Sequence, residues 1–345
     1  MNNRSFGLDI GVSSLKAVDL AVERGGFKLN ACISAPMPSK GMLSESPADE
    51  EEMAQAIKKT VDQAGISLKD VNLALPENQV YTKVVDMPYL SDRELSSAIY
   101  YEAEQYIPIP LPNVSLSWNV INRDPRMGEK MQVLMVGAPT MIVKKYQKIL
   151  SLAGFTIDTM ETEILSAVRS FTAFVPNNSI TPTIIVNIGA ISTSLAIVIG
   201  KNLVFTYSLP IGGSAINRAI SADFGLSSSQ AEQYKKAYGI SRTPLGERIG
   251  KATEPIMSSI LSEVKKAIIY FSQKYKDIRI EQIVLSGSTA KLPGIDTYFV
   301  NSAGIETVIA NPWKFLSPSS VPKEILDNAP DYSIAVGLAL RSYER

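Results

Sequence analysis

Three glycine-containing turns in this sequence carry residues able to hold a phosphorylated ligand. The first is Leu8-Asp9-Ile10-Gly11-Val12-Ser13-Ser14-Leu15-Lys16. An aspartate at a strand end can hold a magnesium ion through water, and a glycine permits a close turn. Small hydroxyl residues donate to phosphate, and Lys16 adds positive charge. The second, Val186-Asn187-Ile188-Gly189-Ala190-Ile191-Ser192-Thr193-Ser194, repeats that order of strand, polar residue, glycine and hydroxyls. The third, Leu285-Ser286-Gly287-Ser288-Thr289-Ala290-Lys291-Leu292-Pro293-Gly294, runs from a strand into a helix start, where backbone can hold a base or a ribose. Backbone N–H groups in such turns face oxygen anions. Each turn alone is equally an ordinary hairpin or a tight strand-to-helix connection. Two of one pattern, each opening one half of the chain, are far less expected by chance.

Composition removes many other chemistries. The 345 residues contain no histidine, which excludes histidine triads, histidine bases and histidine metal sites. The single cysteine, Cys32, cannot form an intramolecular disulfide and reads as a small core residue in Ala31-Cys32-Ile33. Lys plus Arg and Asp plus Glu both number 34, so no positive excess points to nucleic acid or an anionic membrane as the main partner. The chain is 45% hydrophobic, enough for a large core, and its length suits roughly two domains. The start, Met-Asn-Asn-Arg-Ser, has no secretory apolar region, and the longest apolar stretch, Ile184–Ile199, is broken by polar residues and reads as two buried strands.

The elements that must position the turns follow from periodicity. Strands are expected at Phe6–Ile10, Ala17–Val22, Phe27–Ile33 and Val71–Leu75, with a helix at Glu50–Ala64. From Val80 to Asp158 the pattern changes: strands at Val80–Val85, Val114–Ile121 and Met131–Ala138, a helix near Ser91–Tyr106 opened by a Ser91/Glu94 capping box, and a helix at Met141–Leu150. This reads as a small α+β insertion. A helix at Glu163–Phe174 and a loop at Pro176–Pro182 lead to the second strand pair, a strand at Leu203–Leu209 and a helix-rich part from Ser214 to Tyr275. There, Ile256, Ile260, Val264, Ile268 and Phe271 form a core stripe. Ile283–Leu285 is a strand, Trp313–Pro330 an irregular loop and Ser333–Arg341 a final helix.

Taken together, the three turns resemble the two phosphate motifs and the adenosine motif of the actin/Hsp70/sugar-kinase superfamily. Pro210-Ile211-Gly212-Gly213-Ser214 and Ala231-Glu232-Gln233-Tyr234-Lys235 are similar to that superfamily's Gly-Gly turn and adenosine-embracing helix. Asp331-Tyr332-Ser333-Ile334-Ala335-Val336-Gly337-Leu338-Ala339 is similar to its second connecting helix. Within it, Tyr101-Glu102-Ala103-Glu104-Gln105-Tyr106-Ile107-Pro108 and Met87-Pro88 with Ser91-Asp92-Arg93-Glu94-Leu95 resemble the type IV pilus assembly family PilM, a relative of FtsA.

The resemblance implies an α/β actin/Hsp70-like ATPase fold, two lobes around a nucleotide cleft, with a small α+β inserted subdomain in the first lobe. It assigns 1–79, 159–182 and 329–345 to a first core subdomain and 80–158 to the insertion. It assigns 183–213 and 277–328 to a second core subdomain and 214–276 to a helical one. It implies ATP and magnesium as ligands, with Asp9 holding magnesium through water. Gly11, Val12, Ser13, Ser14 and Lys16 would bind phosphate from one side, and Asn187, Gly189, Ser192 and Thr193 from the other. Gly212, Gly213, Glu232, Lys235, Gly287, Ser288 and Lys291 would surround the nucleoside, and Glu161 would position the attacking water. The implied partner is the N-terminal cytoplasmic tail of PilN, with other pilus assembly proteins and homo-oligomers beyond it. The implied place is the cytoplasm, at the inner face of the cytoplasmic membrane.

The second phosphate turn departs from the family, whose turn usually begins with Asp where this chain has Asn187. Asparagine keeps a carbonyl ligand but loses a charge and cannot serve as a general base, so the expectation is an ATP-binding scaffold that is at most a slow ATPase. The alternatives are an FtsA-like, filament-forming division protein and a small-molecule kinase. The Gly246–Ala252 string is not a P-loop: it has one residue too few between its glycines and Ala252 where Ser or Thr is needed. It reads as a helix boundary.

Overall fold

The computed structural model describes residues 4–23, 26–122, 130–176, 179–316 and 321–344. The first three and the last residue, 177–178 of the Pro176–Pro182 loop and 317–320 of the Trp313–Pro330 loop lie outside the described residues.

The chain builds one plan twice. Strands β1 (Phe6–Ile10), β2 (Ser14–Glu23) and β3 (Gly26–Pro36) form an antiparallel meander. After helix α1 (Pro47–Gln63), strand β4 (Asp70–Leu75) joins β1 in parallel. The inserted sheet follows, with β5 (Tyr81–Pro88), helix α2 (Asp92–Tyr106), β6 (Val114–Asn122) and β7 (Lys130–Pro139) in the order β5-β7-β6. Helix α3 (Thr140–Leu152) then leads to β8 (Thr156–Thr162), which completes the first sheet as β3-β2-β1-β4-β8.

Helix α4 (Glu163–Thr172) crosses to the second lobe. There β9 (Pro182–Ile188), β10 (Thr193–Ile199) and β11 (Asn202–Leu209) form a second meander. Helices α5 (Gly213–Phe224), α6 (Ser228–Tyr238) and α7 (Pro244–Lys274) come next. Strand β12 (Gln282–Ser286), helix α8 (Ile295–Ala303) and strand β13 (Glu306–Ile309) close the sheet in the order β11-β10-β9-β12-β13. Helices α9 (Lys323–Asp327) and α10 (Ser333–Arg341) return to the first lobe.

Both central strands, β1 and β9, are buried along their whole length because helices cover both faces of each sheet. Phe6, Leu8 and Ile10 pack with Met53, Ile57 and Val61 of α1 on one face. On the other, Val18 and Leu20 meet Ala335, Val336 and Ala339 of α10. Gly7 sits under α10, where a Cβ would fall 2.2 Å from the Ala335 carbonyl, so the helix can lie directly on the strand. In the second lobe, Ile184, Val186 and Ile188 face Ile260, Val264 and Phe271 of the expected stripe, and Ile185 faces Ile164 and Val168 of α4.

The structure departs from the sequence reading at four points. Strand β8 carries no clear sequence signal because its Thr156, Asp158 and Thr159 give no apolar run, and β13 is a four-residue strand. The stretch Trp313–Pro330, expected as irregular, contains α9, started by Pro322. The Gly246–Ala252 string lies inside α7, within its first three turns. Finally, α3 packs Tyr146, Ile149 and Leu150 into the first core with Phe6 and Leu8, so the self-contained packing of the inserted sheet ends at β7. The capping box of α2 forms as expected from Ser91 and Glu94.

Candidate functional site

The two hairpin turns that open the lobes have one geometry. The amide of Gly11 donates to the Ser14 carbonyl at 3.1 Å, and that of Gly189 donates to the Ser192 carbonyl at 2.9 Å. A Cβ on either glycine would sit 3.2 Å from the same carbonyl. Both turns face a single cleft of about 1370 Å³ between the lobes. Clefts for drug-sized ligands run to roughly 1,000 Å³, so a nucleoside triphosphate has room here.

Most of the predicted residues meet in this cleft. Asp9, Gly11, Val12, Ser13, Ser14 and Lys16 line it from β1 and β2, and Asn187, Gly189 and Ser192 from β9 and its turn. Gly213, Glu232 and Lys235 line it from α5 and α6, and Gly287, Ser288 and Lys291 from the turn after β12. Lys16 is buried and donates to Ser14 Oγ at 2.8 Å, with Asp9 Oδ2 at 3.4 Å. Burial pushes the Asp9 carboxyl up, opposed by Lys16 and reinforced by Asp331. Glu232 is held below the usual carboxylate range despite burial, because Lys235 at 2.7 Å and Asn217 both donate to it.

Two predicted residues support the cleft without lining it. Thr193 Oγ1 donates to the Ile211 carbonyl at 2.7 Å. Gly212 lies against the second turn, where a Cβ would fall 2.6 Å from the Gly189 carbonyl. The first amides of α5, on Gly213 and Ser214, donate to the Gly189 and Ala190 carbonyls at 2.9 and 2.7 Å. Those helix amides therefore lock the second turn in place. Gly287 has a φ of +83°, and a Cβ there would strike the Ile188 carbonyl at 2.6 Å and Asn187 Oδ1 at 2.9 Å. The third turn can therefore seat against the second only through glycine.

Glu161 is placed elsewhere. Its carboxylate pairs with Arg169, with Oε2 accepting from Nη2 at 2.7 Å, and also accepts from Ser166 Oγ at 2.6 Å. Glu163, two residues on, lines the cleft where Glu161 does not. It is coupled to Glu77 by an exchange of backbone bonds: Glu77 N donates to Glu163 Oε2, and Ile164 N donates to Glu77 Oε2, both at 3.3 Å. Glu77 thus caps α4, whose own N-cap Thr162 makes no such bond. Desolvation, then the Asp9 and Glu77 carboxylates, push Glu163 up to about 8. Burial pushes Glu77 up to about 7. The chain switches from strand to helix at Thr162, which turns Glu161 and Glu163 to different sides, and no apolar run in the sequence marks that point.

Other lining residues were not singled out from sequence. Asp331 and Asn328 accept from Lys291 Nζ, the former at 2.7 Å, and so pin the third turn to the segment that enters α10. Asn217, Ser228 and Ser229 complete the α5–α6 wall. Cys32 reaches the cleft wall, where burial pushes its thiol up to about 12.

The donor set fits a hydrated magnesium ion. No group of three or more His, Cys, Asp or Glu residues among those described is arranged to hold a metal directly. Magnesium commonly keeps several waters and takes one or two carboxylates plus phosphate. Asp9 offers such a carboxylate, and buried Asn187 Oδ1 has no hydrogen-bond partner of its own.

Two sheets of matching topology, each opening with a glycine hairpin at a shared cleft and joined by crossing helices, define an actin-like ATPase fold. A family model described as type IV pilus assembly protein PilM matches residues 7–343, and the chain belongs to that family. A solved PilM–PilN type IV pilus biogenesis complex superposes with a TM-score of 0.87 at 26% identity, covering 100% of both chains. FtsA, the cell division protein of Streptococcus pneumoniae serotype 2, is 28% identical over 330 residues, spanning 84% of this chain and 71% of its own. MreB5 of Spiroplasma citri bound to ADP shares the fold, with a TM-score of 0.53 at 14% identity.

Proposed function

We propose that the chain is an ATP-binding assembly scaffold of the type IV pilus that docks the N-terminal cytoplasmic tail of a PilN protein. The observation that carries this reading is the end-to-end superposition on a PilM–PilN complex, inserted sheet included. An extended tail laid in a preformed groove is a common recognition mode. On this reading the tail would lie between the inserted sheet and the first core. There β6 runs beside the start of α3, with Ser115 Oγ and Thr140 Oγ1 3.4 Å apart and Met141 74% exposed. The protein works in the cytoplasm at the inner face of the cytoplasmic membrane, through its partner; no helix among the described residues is long and apolar enough to cross a membrane.

Magnesium-ATP fills the cleft. The paired turns hold its phosphates, Asp9 and Asn187 face the hydrated metal, and Glu232, Lys235 and the Gly287–Lys291 turn enclose the nucleoside. The metal supplies charge neutralisation at the phosphates. Glu163, not Glu161, is the carboxyl presented to water beside the phosphates. With Asn187 in place of an aspartate, hydrolysis is slow, and the nucleotide acts chiefly to set the lobes.

Calorimetric titration of the cognate PilN tail peptide, with magnesium-ATP present, tests the reading. Saturation near one peptide per chain supports it; ATP binding without peptide binding refutes the pilus role. The FtsA likeness carries a second reading, a filament-forming division protein. ATP-dependent sedimentation of the purified chain, without peptide binding, would favour it.

A further inference from the structure

Strand β5 has two faces with two different neighbours. Val85 and Met87 turn under α2, together with Met131, Val133 and Met135. The alternate residues Thr82, Val84 and Asp86 turn the other way, as do their register partners Val136, Leu134 and Gln132 on β7. That second face looks toward α4 and the second sheet. Val84 and Leu134 pack against the cluster formed by Ile185, Ala196 and Val198 of the second sheet with Ile164 and Val168 of α4.

Polar contacts flank this apolar patch at both ends. Thr206 Oγ1 on β11 donates to the Thr82 carbonyl at 3.0 Å. At the other end Lys274, the last residue of α7, donates from Nζ to Asp86 Oδ1 and Oδ2 at 2.8 and 2.6 Å. Gln132 Nε2 donates to Asp86 Oδ1 at 3.0 Å and to the Tyr275 hydroxyl at 3.3 Å. Although burial opposes it, the Lys274 ammonium and Gln132 hold the Asp86 carboxyl below its ordinary range.

The covalent route between the lobes lies elsewhere, through α4 and α10. We propose that the inserted sheet is a tie bar between the lobes, fastened to the second lobe by Asp86–Lys274, Thr82–Thr206 and the Val84/Leu134 patch. The fastening limits how far the cleft opens about the α4–α10 crossing. Cleft width and the position of the inserted sheet are therefore one variable. On the reading given above, that variable also sets the width of the partner groove. The fastening is reversible. Lys274 and Asp86 are 23% and 34% exposed, so the ion pair is screened and weak, and the apolar patch is small.

The test needs neither nucleotide nor peptide. Spin labels at Lys58→Cys on α1 and Lys251→Cys on α7, both exposed, in a Cys32→Ala background report lobe separation by pulsed electron resonance. The parent is expected to give one narrow distance distribution, and Lys274→Ala/Leu134→Ala a broader and longer one. The charge swap Asp86→Lys/Lys274→Asp, with Leu134 kept, is expected to give the parent's narrow distribution, and high salt to broaden the parent toward that of Lys274→Ala/Leu134→Ala. An unchanged distribution in Lys274→Ala/Leu134→Ala, with its circular dichroism and melting intact, overturns the tie. So does a parent that is already broad. Failure of the peptide titration with a sound tie would count against the pilus reading alone.

Discussion

Gly337 of α10 lies against the carbonyl of Ser166 of α4, so close that a Cβ at 337 would sit 1.8 Å from that oxygen. Arg169 binds the same place from the side, donating from Nη1 to the Gly337 carbonyl at 3.2 Å. The two helices that carry the chain between the lobes touch backbone to backbone here. Because the clash is with backbone, no rotamer relieves it. Gly337→Ala is expected to lower unfolding stability by about 1–3 kcal/mol, the usual range for overpacking. Urea unfolding of the purified variant measures it, and a midpoint equal to the parent's would contradict the close crossing.

Asp9 lines the cleft beside the first glycine turn, where the proposed reading puts magnesium and phosphate. Asp9→Ala should weaken ADP binding about tenfold when magnesium is present, a loss of about 1.4 kcal/mol. Binding in excess chelator should be unchanged or tighter, because a buried negative charge has been removed from beside the phosphates. Titrations with and without magnesium separate the two. Equal losses in both would assign Asp9 to folding and not to the metal.

Asn187 offers a carbonyl where a carboxylate could gather both metal and water. Asn187→Asp should raise single-turnover ATP hydrolysis on the order of 10²-fold, the scale of one well-placed proton-handling group. Rapid hydrolysis by the parent, lost in Asp9→Ala, would show that Asn187 does not limit the reaction.

The Glu77–Glu163 pair makes the nucleotide-free protein pH-sensitive. Both carboxyls start from an ordinary value of 4.5 and rise to about 7 and about 8 on folding. The folded chain thus holds protons that the unfolded chain releases, so stability falls as pH rises from about 4.5 to about 8. Glu163→Gln should remove part of that fall. It should stabilise the protein by on the order of 1–2 kcal/mol at pH 8, within the range of single-site effects, and leave it unchanged near pH 4.5. Thermal melts across that range decide it; a difference independent of pH would point to packing and not to charge.

Where the sequence was legible, local chemistry and position coincided. Asp9, Gly11, Gly189 and Gly287 stand at strand ends whose apolar runs are unmistakable, and all four reach the cleft. The inserted part announced itself through Ser91, Glu94 and the apolar Met131–Ala138 run. Glu161 and Glu163 could not be told apart, because their roles depend on where strand becomes helix, and β8 has too few apolar residues to mark that point. Lys291–Asp331 and Asp86–Lys274 join residues 40 and 188 positions apart. No local pattern encodes such pairs. The assignment of α3 was hidden for a related reason: its apolar stripe shows that it must be buried, but not against which sheet.

The placement of α10 has a consequence for how the protein is made. Ser342 Oγ donates to the Ser5 carbonyl across 337 residues, and Asn72 Nδ2 donates to the Leu338 carbonyl across 266. The second sheet, by contrast, takes its covering helices α4, α7 and α8 from residues 163 to 303, beside its own strands. As the chain leaves the ribosome, the second half can therefore close while the first still waits for its cover. Contacts so distant in sequence form late. Until residues 333–341 emerge, Val18 and Leu20 lack their cover, so the nascent chain is most open to misassembly in its first sheet.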